Sequence, residues 1–215
     1  MVRHGGLLLA ALCAFSGLMV AQEGGHFDVA LNGAAVISKH SQGNGTIDAP
    51  TSSGAFLATF RVRMTPKHSL LINYGHSRNS QIYTVPPNDY RIQAIVSEYT
   101  GAYVFSPMES KRFEPFFLAG AGVLKFNPYD TFIDAVQVGV PAVQQTEVAF
   151  LYGAGFDYHI FSSIPFIRRL PSEHLALRLQ YRGLIYKAPD FSVPGLFTGA
   201  RGHMAEPSVG IVVKF

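Results

Sequence analysis

Apolar and polar residues alternate along most of this chain with the two-residue period of a β-strand. In the segment 54–64, Arg61 and Arg63 fall on one face and bulky apolar residues fall on the other, an arrangement that a helix would not produce. A tilted strand of about ten residues is long enough to cross a bilayer. The alternation predicts eight such strands, at 26–37, 54–64, 68–78, 93–105, 112–125, 147–159, 173–186 and 203–215.

The connections between these segments alternate in length. Short links are predicted after the second and fourth strands, with Pro66 and Pro107 as turn formers. Long loops are predicted at 38–53, 79–92, 126–146 and 187–202. Short periplasmic turns and long extracellular loops are typical of outer-membrane barrels. The pattern therefore predicts an all-β fold, an eight-stranded antiparallel up-and-down transmembrane β-barrel.

One link does not fit this alternation. Residues 160–172 occupy the place of a short turn but form a long connection. Two interpretations remain open. The segment is an ordinary insertion, or it lies along the inner membrane interface with its Phe and Ile residues buried and with Arg168 and Arg169 near lipid phosphates.

The first 21 residues have the pattern of a secretory signal peptide. Arg3 precedes an uncharged apolar stretch, and small residues end at Ala21, after which we expect cleavage. An uncleaved membrane anchor is the alternative, but the apolar stretch is short for a bilayer span and contains glycines. Cys13 follows Leu12, so a lipoprotein signal is not indicated. We expect two regions, a signal peptide at 1–21 and a barrel domain at 22–215.

Composition narrows the class of protein further. Charged residues make up 14% of the chain, against about 25% in a typical soluble domain. The basic residues are scattered, whereas a nucleic-acid surface needs a concentrated basic patch, so we expect no nucleic-acid partner. The chain has no Trp, which argues against a soluble ligand-binding barrel of the lipocalin type. Tyr and Phe near strand ends are expected to form aromatic girdles: Tyr74, Tyr83, Tyr99, Tyr103, Phe126, Tyr129, Tyr158 and Tyr186.

The polar face of the strands points into the barrel if the apolar face meets lipid. An eight-stranded barrel is just wide enough inside for side chains, so charges there must pair with one another. Strand parity places five acids and five bases in the lumen, which predicts a closed, ion-paired plug. These residues are Asp28, Arg61, Arg63, Glu98, Glu114, Asp157, Arg178, Arg182, Glu206 and Lys214.

The last segment, SVGIVVKF at 208–215, fits the C-terminal insertion signal of outer-membrane barrels. Ser208 is the polar residue of the signal, Gly210 follows two positions later, and Val213 and Phe215 are its apolar third-last and last residues. Together with PFFLAGAG at 115–122, GAGFDY at 153–158 and LALRLQYR at 175–182, this segment carries a family resemblance. The chain resembles the small bacterial outer-membrane β-barrels typified by the membrane domain of outer membrane protein A.

The resemblance covers about residues 26–215 and implies a location in the outer membrane. It also implies contact with outer-membrane lipid and assembly by periplasmic chaperones and the barrel-assembly machinery. We expect a monomer. The chain ends at Phe215 without a periplasmic peptidoglycan-binding domain, so we expect a barrel-only member. Members of this family do varied work, so the resemblance implies fold and location more than activity.

Catalytic and metal-binding patterns are weak. The eight His residues show no metal-ligand spacing, and the adjacent pairs His40–Ser41, His68–Ser69 and His76–Ser77 would point to opposite faces of a strand. We therefore expect no catalytic residues, no metal and no cofactor. The favoured function is a structural, surface-exposed barrel whose loops serve adhesion or partner contact.

The alternative function is a narrow or lateral conduit for small apolar molecules. The apolar side chains in the loop at 126–146, such as Val136 and Val138, either mark a partner patch or extend a hairpin above the membrane.

Overall fold

A computed structural model describes residues 27–108, 110, 112–139, 142–159 and 175–215. Eight long strands cross the fold: β1 (Phe27–Ser38), β4 (Ser53–Thr65), β5 (His68–Val85), β6 (Asn88–Phe105), β7 (Phe113–Ile133), β9 (Gln145–His159), β10 (Leu175–Lys187) and β11 (Arg201–Lys214). Three short strands lie in the connections: β2 (Ser41–Gly43), β3 (Thr46–Asp48) and β8 (Val136–Gln137). The predicted signal peptide at 1–21 and the unusual link at 160–172 lie outside the described residues.

The eight long strands form one closed antiparallel sheet. Each long strand pairs with the next long strand in the chain, and β11 returns to pair with β1 from Asp28–Lys214 to Ser38–Met204. The closure leaves no free sheet edge along the barrel wall, which is the arrangement that satisfies every strand in lipid. The predicted eight-stranded antiparallel barrel is confirmed. Among the residues that the structure describes, no helix is long and apolar enough to cross a membrane.

The outer wall of the barrel is apolar. Ile72 and Phe150 are each 64% exposed and Val148 is 63% exposed, and similar side chains surround the barrel. Soluble proteins rarely leave a continuous apolar surface of this kind in water. In a bilayer the same side chains meet acyl chains, while the alternate positions of each strand point inward.

The prediction of a loop at 79–92 is wrong. β5 and β6 continue through this region as a paired ladder up to the turn at Pro86–Pro87. Asn79 and Gln81 are buried on the inner face of this extension, so polar residues that resemble a loop in sequence are ladder residues facing the interior. Inward and outward residues still alternate in this segment, but too few of them are apolar for the sequence pattern to be distinguished from that of a loop.

The third predicted loop is shorter than 126–146 suggests. β7 runs to Ile133, and β8 folds back on it through the Ile133–Val136 and Phe132–Gln137 pairs. Of the two interpretations of the apolar residues in this loop, the structure therefore favours the extended hairpin. Val136 remains 65% exposed at its tip.

The aromatic girdle is partly as predicted. Tyr74, Tyr99, Tyr103, Tyr129 and Tyr158 are exposed on the outer face. Tyr83, Phe126 and Tyr186 are instead buried inside the barrel. Phe126 and Tyr186 have the same parity as the inward charges of their strands, so proximity to a strand end was a weaker guide to their position than alternation.

Candidate functional site in the barrel interior

Seven of the ten predicted lumen charges form one group toward the short-turn end of the barrel, which we call the lower charge cluster: Asp28, Arg61, Arg63, Glu114, Asp157, Arg178 and Lys214. Its centre is Asp157, a fully buried carboxylate on β9. Asp157 accepts from Arg61 Nη2 at 2.7 Å and from Arg178 Nε and Nη2 at 2.7 and 2.9 Å. Bonds of this length between charged groups are the stronger kind of protein hydrogen bond.

Neighbouring strands complete the lower charge cluster. Asp28 on β1 accepts from Arg61 Nε at 2.5 Å and lies 3.5 Å from Arg178 Nη2. Glu114 on β7 lies 2.7 Å from Lys214 Nζ and 3.0 Å from Arg63 Nη2. The guanidinium groups of Arg61 and Arg178 also lie 5.7 and 5.2 Å from the centre of the Phe116 ring. Each cation thus has an acidic partner, and the aromatic ring fills the space between two of them.

The remaining three predicted charges form a separate group nearer the middle of the barrel, the upper charge cluster of Glu98, Arg182 and Glu206. Arg182 donates to Glu98 Oε1 and Oε2 at 3.0 and 2.7 Å and also contacts Glu206. Thr100 donates to Glu98 Oε1 at 2.7 Å. A small cavity of about 10 Å³ borders Glu98, Arg182 and Glu206. That volume suits about one water molecule and no larger ligand.

Above the upper charge cluster the interior becomes apolar, which the sequence interpretation missed. We call this region the apolar compartment; its side chains are almost fully buried and include Leu57, Val96, Leu124, Phe126, Leu184, Tyr186 and Met204. The predicted ion-paired plug therefore describes only part of the barrel interior. The signal was present in β10, where Leu184 and Tyr186 have the same parity as Arg178 and Arg182.

The connection between β10 and β11, residues 188–200, folds inward and covers the apolar compartment; we call it loop 4. Phe191 and Leu196 on this loop are fully buried. The Phe191 ring meets Tyr83 and Phe126 edge-on at centroid distances of 6.5 and 6.3 Å. Tyr83 Oη donates to the Pro189 carbonyl at 2.6 Å. Loop 4 therefore closes the extracellular end of the barrel as a packed lid.

The hairpin β2–β3 supports loop 4 from the other side. Thr46 Oγ1 donates to the Gly195 carbonyl at 2.8 Å, and β3 pairs with β5 through Asp48 and Tyr83. Asp48 is only 1% exposed, and burial raises its pKa to about 7 against a smaller opposing effect of the nearby Ser41 hydroxyl. The Gln81 amide, oriented with its nitrogen toward this carboxyl group, lies 3.1 Å from Asp48 Oδ1. Asp48 thus links the first and second extracellular hairpins.

Three of the predicted insertion-signal residues lie on β11, and Phe215 follows directly after it. Ser208 is buried and faces the interior, whereas Val213 and Phe215 are exposed on the outer face. A Cβ at Gly210 would come within 2.2 Å of the Leu31 carbonyl oxygen, so this position has no room for a side chain as it stands. The Phe215 amide donates to the Phe27 carbonyl at 2.8 Å, which joins the two ends of the closed sheet.

The interior chemistry is that of a filled core. Within the described ranges, no group of three or more His, Cys, Asp or Glu residues is arranged to hold a metal ion. His68 contacts the Tyr103 hydroxyl and His76 is exposed on the outer face, whereas His159 lies 3.1 Å from Lys214 Nζ and 3.9 Å from Glu114 at the edge of the lower charge cluster. The acids and bases of the two charge clusters are therefore paired with one another.

These features define a class of protein: a small, closed, eight-stranded β-barrel with an apolar outer wall and a filled interior, the fold of outer-membrane barrel proteins. No protein-family model and no curated protein sequence matches the chain. Solved structures do match it.

The outer membrane protein OprG from Pseudomonas aeruginosa superposes with a TM-score of 0.57 at 16% identity, covering 91% of this chain and 98% of OprG. Neisserial surface protein A superposes with a TM-score of 0.53 at 15% identity, covering 90% of this chain and all of that protein. The comparisons establish the shared fold.

Proposed function

We propose that the chain is a structural, surface-exposed outer-membrane β-barrel without enzymatic activity, whose interior is plugged and whose extracellular hairpins serve adhesion or partner contact. The supporting observation is the continuous filling of the interior. The lower charge cluster, the upper charge cluster, the apolar compartment and loop 4 follow one another along the barrel axis. A solute would have to displace paired charges and a packed apolar layer in succession, and both are costly.

Single-channel recording in planar lipid bilayers tests this proposal. We expect no stable conductance steps from the purified, folded protein. The double variant Glu98→Ala/Arg182→Ala removes one acid and one base of the upper charge cluster, and its net charge equals that of the wild type. Stable and large steps from the wild-type protein would refute the plug. Heat-modifiable gel mobility must first show that both proteins are folded barrels.

A lateral conduit for small apolar molecules is a second candidate, and a specific feature of the wall favours it. The β1–β11 ladder pairs up to Ala34–Ser208 and resumes at Ile37–Ala205, so it is interrupted at Ala35 and Val36. The register places Pro207, which has no amide hydrogen to donate, opposite Ala35. This weak point lies beside the upper charge cluster, since the neighbouring residue is Glu206.

Cross-linking the wall tests the conduit. Ala35→Cys combined with Pro207→Cys places two thiols at facing positions across the interrupted ladder. If molecules leave through this seam, liposome uptake of a fluorescent apolar probe falls on oxidation and returns on reduction. Equal uptake in the oxidised and reduced states would reject the lateral route. The pair Thr59→Cys/Asn73→Cys, at facing inner positions of the intact β4–β5 ladder, is the control.

Assembly is the remaining part of the proposal. We infer that Ser208, Gly210, Val213 and Phe215 are recognised by the barrel-assembly machinery after escort by periplasmic chaperones, and that the folded chain is a monomer in outer-membrane lipid. Phe215→Ala should slow insertion into liposomes that contain the purified machinery. Phe117→Ala, which removes an aromatic ring that is 57% exposed on β7, is the matched control. Equal rates for both variants would contradict a special role for the last strand.

A further inference from the structure

Charged side chains on the outside of the barrel are arranged differently from those inside. Every inward cation of the two charge clusters contacts a carboxylate. Three exposed cations near the extracellular border, Lys39, Lys187 and Arg201, have no carboxylate within ion-pair distance in the part of the chain that the structure describes, although Glu147 interacts electrostatically with Lys187 at longer range. We call these three residues the cationic patch.

The strand register brings the cationic patch together. Lys187 and Arg201 face each other directly across the β10–β11 ladder, and side chains in that relation have Cβ atoms about 4.5–5.5 Å apart. Lys39 follows β1, and its amide donates to the His203 carbonyl at 2.8 Å, so it lies beside the same strand. Like charges at facing positions destabilise a sheet unless an anion lies between them.

The surroundings of the patch specify the kind of anion. Phe150 and Ile185 face each other two positions below Val148 and Lys187, and Ile37 and Val209 continue the apolar surface on β1 and β11. Loop 4 holds Lys187 from above, with the amine nitrogen 5.3 Å from the centre of the Phe197 ring. A ligand of this surface needs phosphate groups at the level of the cations and several acyl chains beneath them.

We propose that the cationic patch binds the phosphates of lipid A, the phosphorylated and multiply acylated glycolipid of the outer leaflet. This inference rests on the proposed placement in the outer membrane, which puts the long loops, and therefore the patch, on the extracellular side. The lipid docks with its phosphates between Lys39, Lys187 and Arg201 and its acyl chains along the apolar wall of β1, β9, β10 and β11.

Native mass spectrometry of the full barrel in detergent micelles tests the proposal. The probes are hexa-acylated bisphosphoryl lipid A, its monophosphoryl form and phosphatidylglycerol. Removal of one cation near an anionic lipid headgroup should weaken binding about fivefold. The triple variant Lys39→Gln/Lys187→Gln/Arg201→Gln should therefore bind bisphosphoryl lipid A about a hundredfold more weakly, and the monophosphoryl form should bind the wild-type protein more weakly than the bisphosphoryl form.

A matched triple variant controls for net charge. Arg78→Gln/Arg91→Gln/Lys125→Gln removes three outward cations from β5, β6 and β7, across the barrel from the patch. This variant should bind bisphosphoryl lipid A within about twofold of the wild type. Equal losses in both triple variants, or none in the patch variant, would overturn the proposal.

Wild-type binding of phosphatidylglycerol that is as tight and as patch-dependent as that of lipid A would show a general anionic-lipid surface and would also overturn it. Gel mobility of each variant shows whether the barrel is intact, and the conductance test of the plug is independent of this result.

Discussion

Replacing Asp157 by Asn perturbs the lower charge cluster at its centre with almost no change in volume. The wild-type carboxylate accepts three hydrogen bonds from two buried arginines, at 2.7, 2.7 and 2.9 Å. The amide keeps one acceptor oxygen but loses the charge and directs an N–H group toward an arginine donor. Asp28 remains 2.5 Å from Arg61 and 3.5 Å from Arg178, so the positive charges of the two arginines are still partly neutralised.

Removing one partner of a buried ion pair typically costs about 3–5 kcal/mol, and we expect Asp157→Asn to lower the free energy of unfolding by that amount. The chain has no Trp, so urea unfolding in lipid vesicles is best followed by the heat-modifiable gel shift. The control Asp89→Asn, at an exposed position next to a hairpin tip, should change stability by no more than about 0.5 kcal/mol.

A double-mutant cycle tests the reason for the loss. Arg178→Gln added to Asp157→Asn removes the cation left uncompensated, so the two losses should be clearly less than additive. A loss below about 1 kcal/mol for Asp157→Asn, or strict additivity in the double variant, would refute the view that the lower charge cluster is an interdependent network.

Three further predictions concern the lid, the wall and pH. The raised pKa of Asp48 means that the folded state holds a proton that the unfolded state loses above pH about 4, so the stability it contributes is present below that pH and is lost as pH rises through about 7. The protection factor of the Ile47 amide, which is corrected for the intrinsic pH dependence of exchange, should be lower at pH 8 than at pH 5, and Asp48→Asn should abolish this difference. Phe191→Ala should remove about 3–5 kcal/mol of packing free energy between loop 4 and the barrel interior. Protease should then cleave loop 4 while the barrel keeps its heat-modifiable gel shift. A loop that stays resistant to protease would contradict the packing of the lid. Gly120→Val should prevent formation of the heat-modifiable barrel, because a Cβ at position 120 would lie 2.0 Å from the Gly101 carbonyl oxygen. The control Gly33→Val should fold normally, because a Cβ at position 33 would have no other heavy atom within 4 Å.

The barrel could be predicted from sequence because a sheet with one lipid-facing side and one interior side requires apolar and polar residues to alternate along each strand. Arg61 and Arg63 differ from their neighbours in polarity, and the two-residue period then places them inside without knowledge of their partners. The partners themselves were beyond prediction. Asp157 and Arg178 are adjacent across the β9–β10 ladder, whereas Asp28 and Arg178 are brought together only when the sheet closes.

The apolar compartment was missed because lipid-facing and interior apolar residues look alike in sequence. Leu124 and Phe126 on β7 are as apolar as the residues of the outer wall, and only parity relative to Glu114 distinguishes the two sets. Loop 4 was missed for a different reason. Phe191 and Leu196 lie in a segment with no period, so their burial depends on tertiary packing that local pattern does not encode.

The position of Asp28 has a consequence for the order of events in biogenesis. This carboxylate is on the first strand, while its two arginine partners are on β4 and β10, which lie on opposite sides of it in the closed sheet. A curved sheet that has not yet joined β1 to β11 carries Arg178 far from Asp28 and leaves both charges incompletely neutralised. Seam closure therefore adds the Asp28–Arg178 contact to the pairs that adjacent strands already form, and this added contact favours the complete barrel over an open sheet.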